Sequence, residues 1–344
     1  MAARRANLRL VQVLHRHGDR SPLHNVFTGS DRHSAAAQEE TALWQPKLSQ
    51  HIDGSPIFGE LTTTGVEQMQ ARGSALRQHV LAQGWTLDAP TLHVQSTHYM
   101  RTQRSVHALI STLAPNVEAP AIDILPPHLD FINAYNDHGP AVARLKAQLA
   151  DAHTPLAARE AAMAPVKEAL MRHLPLFEAH PERFTWMNAA DYFVCRRAHG
   201  LPLVPHTEDL ADTTIDHLSF RFSNFYTHPP ILHYVASRLV DQLVARMHDV
   251  IHAVDTSPPK EQVCIYSGHD VSVLAFLYAR MGAAVDASYW PDYSTAITVE
   301  LYQGDDKQWQ VQTTLDGQSL GVPVSVDEFA TTLQSSTVEV PRRQ

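Results

Sequence analysis

Three short apolar runs constrain this chain more than any other feature: Leu8-Arg9-Leu10-Val11-Gln12-Val13-Leu14, Leu92-His93-Val94-Gln95-Ser96 and Val263-Cys264-Ile265-Tyr266. Each has the length of a strand, and helix-period sequence lies downstream of each. Such runs read as strands of a largely parallel sheet buried on both faces. After the first, a loop rich in polar residues and prolines extends to about residue 60. Thr64-Gly65-Val66-Glu67 then has capping-box spacing, and Val66, Met69, Gly73, Leu76 and Val80 fall on one helical face that Gly84 closes. After the second run, Val106, Leu109, Ile110 and Leu113 mark an inward helix face that stops before Pro115.

Between about 125 and 225, alanine-rich amphipathic segments alternate with prolines (Pro155, Pro165, Pro175, Pro181, Pro202, Pro205). This stretch carries Phe177, Phe184, Trp186 and Tyr192 to pack, so it reads as a helical insertion, not a linker. A long helix follows from Pro229-Pro230, with Leu232, Val235, Leu239, Leu243, Met247, Val250 and Val254 recurring every three or four residues and prolines 258 and 259 closing it. Asp270 to Met281 is a further helix. Thr295–Gln303 and Gln308–Leu315 flank Gly304-Asp305-Asp306-Lys307 as a hairpin. The expected fold is α/β: a layered, mostly parallel central sheet flanked by helices, with an inserted smaller α-helical cap. The core is discontinuous, 1–124 and 226–344, and the cap is 125–225.

Composition narrows the function. The 344 residues are 44% hydrophobic and 18% charged, which excludes a disordered chain. The net charge of −9, with no Lys/Arg-rich run, gives no attraction for nucleic acid. Histidine stands out at 22 residues, and its protonation carries the charge through zero near the pI of 6.2, which fits work in acid. Cys195 and Cys264 are too few for a disulfide framework, and Cys264 in its apolar run reads as a small buried hydrophobe. There is no Asn-x-Ser/Thr acceptor and no stretch of membrane-span length. The first strand starts by about residue 8, which leaves no room for a signal peptide. The expected compartment is the cytoplasm, or a secreted or lysosomal one after removal of a leader.

Each apolar run ends in polar residues: Arg16-His17-Gly18-Asp19-Arg20, Ser96-Thr97-His98-Tyr99-Met100-Arg101, and Ser267-Gly268-His269-Asp270. In open α/β sheets the ligand crevice lies at the carboxyl ends of the strands. If the three strands are neighbours, three guanidiniums and two imidazoles converge into an anion site. Their forked donors match the oxygens of phosphate. An imidazole in line with phosphorus could attack it and pass the phosphoryl group to water. Nearby arginines should depress that imidazole's pKa and keep its lone pair free in acid. Asp270 is the carboxyl group nearest the cluster in sequence for protonating the leaving alkoxide.

These residues resemble a known family. Arg16-His17-Gly18-Asp19-Arg20-Ser21-Pro22 resembles the RHGxRxP motif of the histidine acid phosphatases. They form branch 2 of the histidine phosphatase superfamily, with the prostatic and lysosomal acid phosphatases and the phytases. Ser267-Gly268-His269-Asp270 is similar to its His-Asp motif, Gly59-Glu60-Leu61-Thr62-Thr63-Thr64-Gly65-Val66-Glu67-Gln68 to its GxLTxxGxxQ helix start, and Arg101-Thr102 with Ser105 to its third phosphate-binding segment. The resemblance implies His17 as nucleophile, Arg16, Arg20, Arg101 and His269 as phosphate ligands, and Asp270 as proton donor. It implies no metal or organic cofactor, a small-molecule phosphomonoester substrate, and the insert placed over the pocket. Relatives are often dimers, and the C-terminal hairpin offers an edge for a homodimer. Many are also secreted with disulfides and glycans, and this sequence offers neither.

Three other readings stand beside it. The same phosphohistidine would serve a phosphotransferase or mutase. His15-x-His17 with His269-Asp270 superficially suits a metal-dependent hydrolase, although Arg16 and Arg20 would crowd a dication. A catalytically silent binding protein matches the intact set poorly. His15 alternates to the face opposite Arg16 and reads as core, Asp19 as structural or solvent-facing, and His98 and His107 as packing or surface groups. His24, Asn25 and Phe27 are candidates for the substrate mouth. The insert is not markedly basic, which favours a simpler ester over an inositol polyphosphate.

Overall fold

A computed structural model of the chain describes residues 7–336 apart from 32, 51–53, 55, 88–91, 119, 135–139, 152 and 255–261. The elements run β1 (Asn7–Arg16), α1 (Ala35–Trp44), α2 (Thr63–Ala82), β2 (Leu92–Ser96), α3 (Met100–Leu113) and β3 (Ile122–Ile124). Then come α4 (Pro140–Leu149), α5 (Pro155–Ala162), α6 (Ala164–His173), α7 (Pro175–Ala179), α8 (Trp186–Ala198), α9 (Ala211–Tyr226) and α10 (Pro229–Val254). The chain ends with β4 (Gln262–Gly268), α11 (Asp270–Met281), β5 (Ala296–Gln303), β6 (Trp309–Leu315), β7 (Gln318–Ser319), β8 (Val324–Ser325) and α12 (Val326–Ser336).

The sheet order is β3-β2-β4-β1-β5-β6-β7, with β8 also on β6. Parallel pairing holds among β3, β2, β4 and β1, and the last three lead to the polar clusters. The β5–β6 hairpin extends the sheet antiparallel from the far side of β1, because its short turn reverses the chain. Alternation along each strand divides the core between two faces. Val11, Val13, Val94, Val263 and Ile265 pack with Met69, Val80, Leu109 and Leu113 of α2 and α3. Leu10, Leu14, Cys264 and Tyr266 pack on the opposite face with Leu239, Leu243, Phe276 and Phe329. That second core runs on without a break into Leu170, Phe177, Tyr192 and Phe222 of α6, α7, α8 and α9.

Several boundaries differ from those read in the sequence. The cap of α2 is Thr62, whose hydroxyl accepts from Gly65 N–H, and not Thr64. The run Thr62-Thr63-Thr64 offers a hydroxyl at every position. The choice falls to Thr62 because it also meets Asp19, donating its N–H to the Asp19 carbonyl at 3.0 Å. Helix α1 lies where only loop was expected, and β3 was not foreseen. Prolines 258 and 259, expected to close α10, lie outside the described residues. Among the described residues no helix is long and apolar enough to cross a membrane.

Candidate active site

The ladder pairs His15 with Ser267, Arg16 with Gly268, and Ser96 with Ser267, so the carboxyl ends of β1, β2 and β4 are level and adjacent. The three polar clusters therefore meet. His17, Arg20, Arg101, His269 and Asp270 line one pocket of about 150 Å³, with Leu23, Tyr99, Asn133, Met187 and Val271 as its remaining walls. Arg16 stands at the edge of this group, held by its own contacts.

His17 leaves the sheet as its amide donates to Gly268 O at 3.0 Å. Its Nδ1 lies 2.8 Å from Gly18 O. A carbonyl can only accept, so Nδ1 carries the proton and Nε2 keeps a lone pair. Burial, then the charges of Arg101, Arg20 and Arg16, hold its pKa well below the ordinary imidazole range. The ring packs edge-on to His269, 5.6 Å between centroids. His269 is depressed in the same way by burial and then by the same arginines, and its Nε2 lies 3.2 Å from Thr97 Oγ1.

The loop that carries His17 is pressed against the start of α2. A Cβ on Gly18 would sit 2.3 Å from Gly65 O, and one on Gly65 would sit 2.2 Å from Asp19 O. Only two glycines allow that approach. Gly18 N–H also donates to Ser105 Oγ at 3.0 Å, and Asp19 N–H to Gln68 Oε1 at 2.8 Å.

The three guanidiniums are held differently. Arg16 donates to Pro291 O at 2.6 Å, pairs with Asp270 Oδ2 at 3.0 Å and lies over the Tyr293 ring. Arg20 pairs with Asp191 Oδ1 at 2.5 Å, and Asp191 Oδ2 accepts Leu23 N–H at 2.6 Å. Arg101 lies over the Tyr99 ring, 4.3 Å from its centroid, and among the described residues no carboxylate is in ion-pair range of it. Burial and then Arg20 lower the Arg101 pKa to about 10. The pocket thus presents one uncompensated cation beside two whose far sides are neutralised, at the N-termini of α3 and α11. Donors and charge arranged in this way suit an oxyanion.

All six residues singled out in the sequence come together. His15 is fully buried, with Nδ1 2.9 Å from Arg16 O, as a core residue. Asp19 is buried, not solvent-facing, because Thr62 and His199 Nε2 (2.7 Å) both reach its carboxylate. His24, Asn25 and Phe27 do not line the pocket; Leu23 does, and Asn25 instead donates to Ala37 O at 2.8 Å. The residue at the N-cap of α11 is His269, so Asp270 opens the helix without capping it. Nothing in the sequence pointed to Asp191, Tyr293, Asn133 or Met187, which stand far along the chain in helix and loop. Cys195 lies 3.6 Å from Arg20, but burial and then Asp191 push its pKa up, so it stays a thiol. Among the described residues, no three His, Cys, Asp or Glu side chains are grouped to hold a metal ion.

A family model described as histidine phosphatase superfamily (branch 2) matches residues 7–316. Counting factor 60 of Dictyostelium discoideum is 24% identical over 348 residues, covering 91% of this chain and 80% of that protein. Lysosomal acid phosphatase of Bos taurus is 26% identical over 333 residues, covering 92% and 72%. The structure of the phytase from Klebsiella sp. ASR1 superposes with a TM-score of 0.65 at 14% identity, covering 98% of this chain and 100% of that one, a likeness of fold. The chain belongs to branch 2 of the histidine phosphatase superfamily and is a phosphoric monoester hydrolase.

Proposed function

We propose that the protein is an acid phosphatase that hydrolyses phosphate monoesters through a covalent phosphohistidine on His17. The observation that carries this reading is the neutral imidazole of His17, proton on Nδ1 and lone pair on Nε2, beside Arg101 and Arg20 in one pocket. Arg16, Arg20, Arg101 and His269 bind the phosphoryl oxygens. His17 Nε2 attacks phosphorus, the P–N bond forms, and the ester P–O bond breaks. Asp270 gives its proton to the departing alkoxide oxygen, then takes one from the water that attacks the phosphohistidine. Orthophosphate leaves and His17 is restored. Neither step calls for a metal or organic cofactor.

Asp270 has to hold a proton to donate one, and this sets an acidic optimum. His17 stays unprotonated there because burial and the arginines oppose a further positive charge. We also propose that 125–225 forms a cap over a discontinuous core, 1–124 and 226–344. Asp191 and Met187 of α8 support this, since both reach the site from the insert.

The test is phosphate release from a broad panel of monoesters at pH 4 to 7. His17→Ala is expected to abolish turnover. Asp270→Asn is expected to slow alkyl esters by about 10²–10⁴-fold and activated aryl phosphates far less. Equal losses on both ester types would remove Asp270 from its role. Transfer to added alcohols or sugar phosphates in preference to water would turn the reading to a phosphotransferase.

A further inference from the structure

Helix α8 reaches the loop of His17 at two points. Its middle holds Arg20 through Asp191. Its C-cap is His199, whose Nε2 donates to Asp19 Oδ1 at 2.7 Å. Asp19 stands between His17 and Arg20 in the chain and is only 2% exposed, yet it takes no part in the chemistry above. Its Oδ1 accepts from two side chains: the hydroxyl of Thr62, which caps α2, and the ring of His199. Its N–H donates to Gln68 of α2 and its carbonyl accepts the N–H of Thr62. Asp19 is therefore held by α2 and its cap on the one hand and by His199 on the other.

The ring of His199 is itself fixed. It stands edge-on to Trp44 of α1, 5.0 Å between centroids. Trp44 Nε1 donates to Glu40 Oε1 at 2.7 Å, and Glu40 Oε2 pairs at 2.6 Å with Arg196, one helical turn before His199. The His199 N–H donates back to Arg196 O at 3.2 Å. This closed circuit between α1 and α8 leaves the His199 side chain only 10% exposed, unlike a solvated histidine at a helix end.

The peptide unit between Gly18 and Asp19 links this clamp to His17. Its carbonyl, Gly18 O, accepts the Nδ1 proton of His17 at 2.8 Å and so leaves the lone pair on Nε2. Its amide is the Asp19 N–H already held by Gln68. A turn of Asp19 swings that carbonyl. Loss of the His199 donor would leave a buried carboxylate short of one hydrogen bond, and relief of that cost requires Asp19 to turn.

We infer that His199 is a positioning residue for the nucleophile. Through Asp19 and the peptide that precedes it, His199 keeps His17 with its proton on Nδ1 and its lone pair aimed at phosphorus. This role rests on the phosphatase reading. The three guanidiniums have holds of their own: Arg20 on Asp191, Arg16 on Asp270 and Pro291 O, and Arg101 on the Tyr99 ring. Attack by His17 thus depends on His199, and the grip on phosphate does not.

The experiment measures kcat/KM for an activated aryl phosphate, the inhibition constant of orthophosphate, and folding by circular dichroism, in the full chain and two variants. His199→Phe keeps a ring beside Trp44 and removes the donor. His199→Gln puts an amide N–H in reach of Asp19 in place of the imidazole N–H. In His199→Phe, kcat/KM is expected to fall about 10–100-fold while the orthophosphate constant stays within about twofold. In His199→Gln, kcat/KM is expected to return to within about threefold of the unaltered chain. Full activity in His199→Phe overturns the positioning role. So does an equal loss in both variants, or a weakening of orthophosphate binding in step with kcat/KM. Should His199→Phe not fold, His199→Leu is read by the same criteria. Failure of both to fold assigns His199 to the fold and overturns the role as well. In each of these cases turnover by the unaltered chain leaves the phosphatase reading standing. Absence of hydrolysis by the unaltered chain overturns that reading and the role of His199 with it.

Discussion

Arg101 is a charge that is costly to bury. It is held against Tyr99 and beside Arg20, with no carboxylate in ion-pair range among the described residues, and burial and then Arg20 lower its pKa to about 10. A bound phosphate, as proposed, would offset that cost. Two expectations of opposite sign follow. Arg101→Met is expected to lower kcat/KM by about 10²–10³-fold, the scale of losing one preorganised donor to the transition state. The same change is expected to leave the melting temperature of the ligand-free protein unchanged or raised, because an unanswered charge disappears. A fall in both would mean that Arg101 holds the fold. Arg20 is the contrasting case: its bond to Asp191 spans 171 residues of sequence, and no local pattern encodes it. Charged residues after strands were legible because strand ends are where ligands bind. Asp191 was not legible, since an aspartate inside an amphipathic helix looks like any solvated one until the tertiary fold buries it.

At the level of elements, α2 and α3 show how closely this fold is fitted. A Cβ at Gly73 would stand 2.1 Å from Leu109 O and 2.4 Å from Thr112 Oγ1. The helices cross backbone to backbone there, and α3 carries Arg101 in its first turn. Gly73→Ala is expected to cost about 1–3 kcal/mol in urea unfolding, since the helices must part. It is also expected to lower activity by moving Arg101. Unchanged stability would show that the crossing is slack. The strands of the site, α3, α10 and α11 were legible because a long apolar period survives in them. Helix α1 was not: only Ala37, Glu40 and Trp44 are buried on it, and Glu40 is buried by pairing with Arg196, 156 residues away. Strand β3 has three residues, two of them exposed, too few for any alternation to show.

Across the whole molecule, buried histidines set the response to acid. Burial lowers the His15 pKa to about 4, and burial with the arginines lowers those of His17 and His269 well below 6.5. In the unfolded chain these imidazoles take up protons below pH 6.5, and in the fold they do not. The unfolded state therefore binds more protons, and stability falls as pH drops from about 6.5 toward 4. His15, with its pKa lowered to about 4, contributes up to about 1 kcal/mol per pH unit across that window. His79, raised by its hydrogen bond to Glu300, works in the opposite direction. Urea unfolding at pH 7 and pH 5 is expected to give the lower stability at pH 5, and His15→Gln is expected to reduce the difference. A protein equally stable at both would contradict the buried neutral state of these rings.

The central claim is a bond between His17 Nε2 and phosphorus. It is tested most directly by mixing the protein with a ³²P-labelled monoester, quenching within milliseconds, and locating the label by mass spectrometry. The expected product is an acid-labile, base-stable phosphohistidine at His17, absent from His17→Ala and accumulating in Asp270→Asn with an activated aryl ester. Turnover at full rate with no label on His17, or with label on another residue, would contradict it.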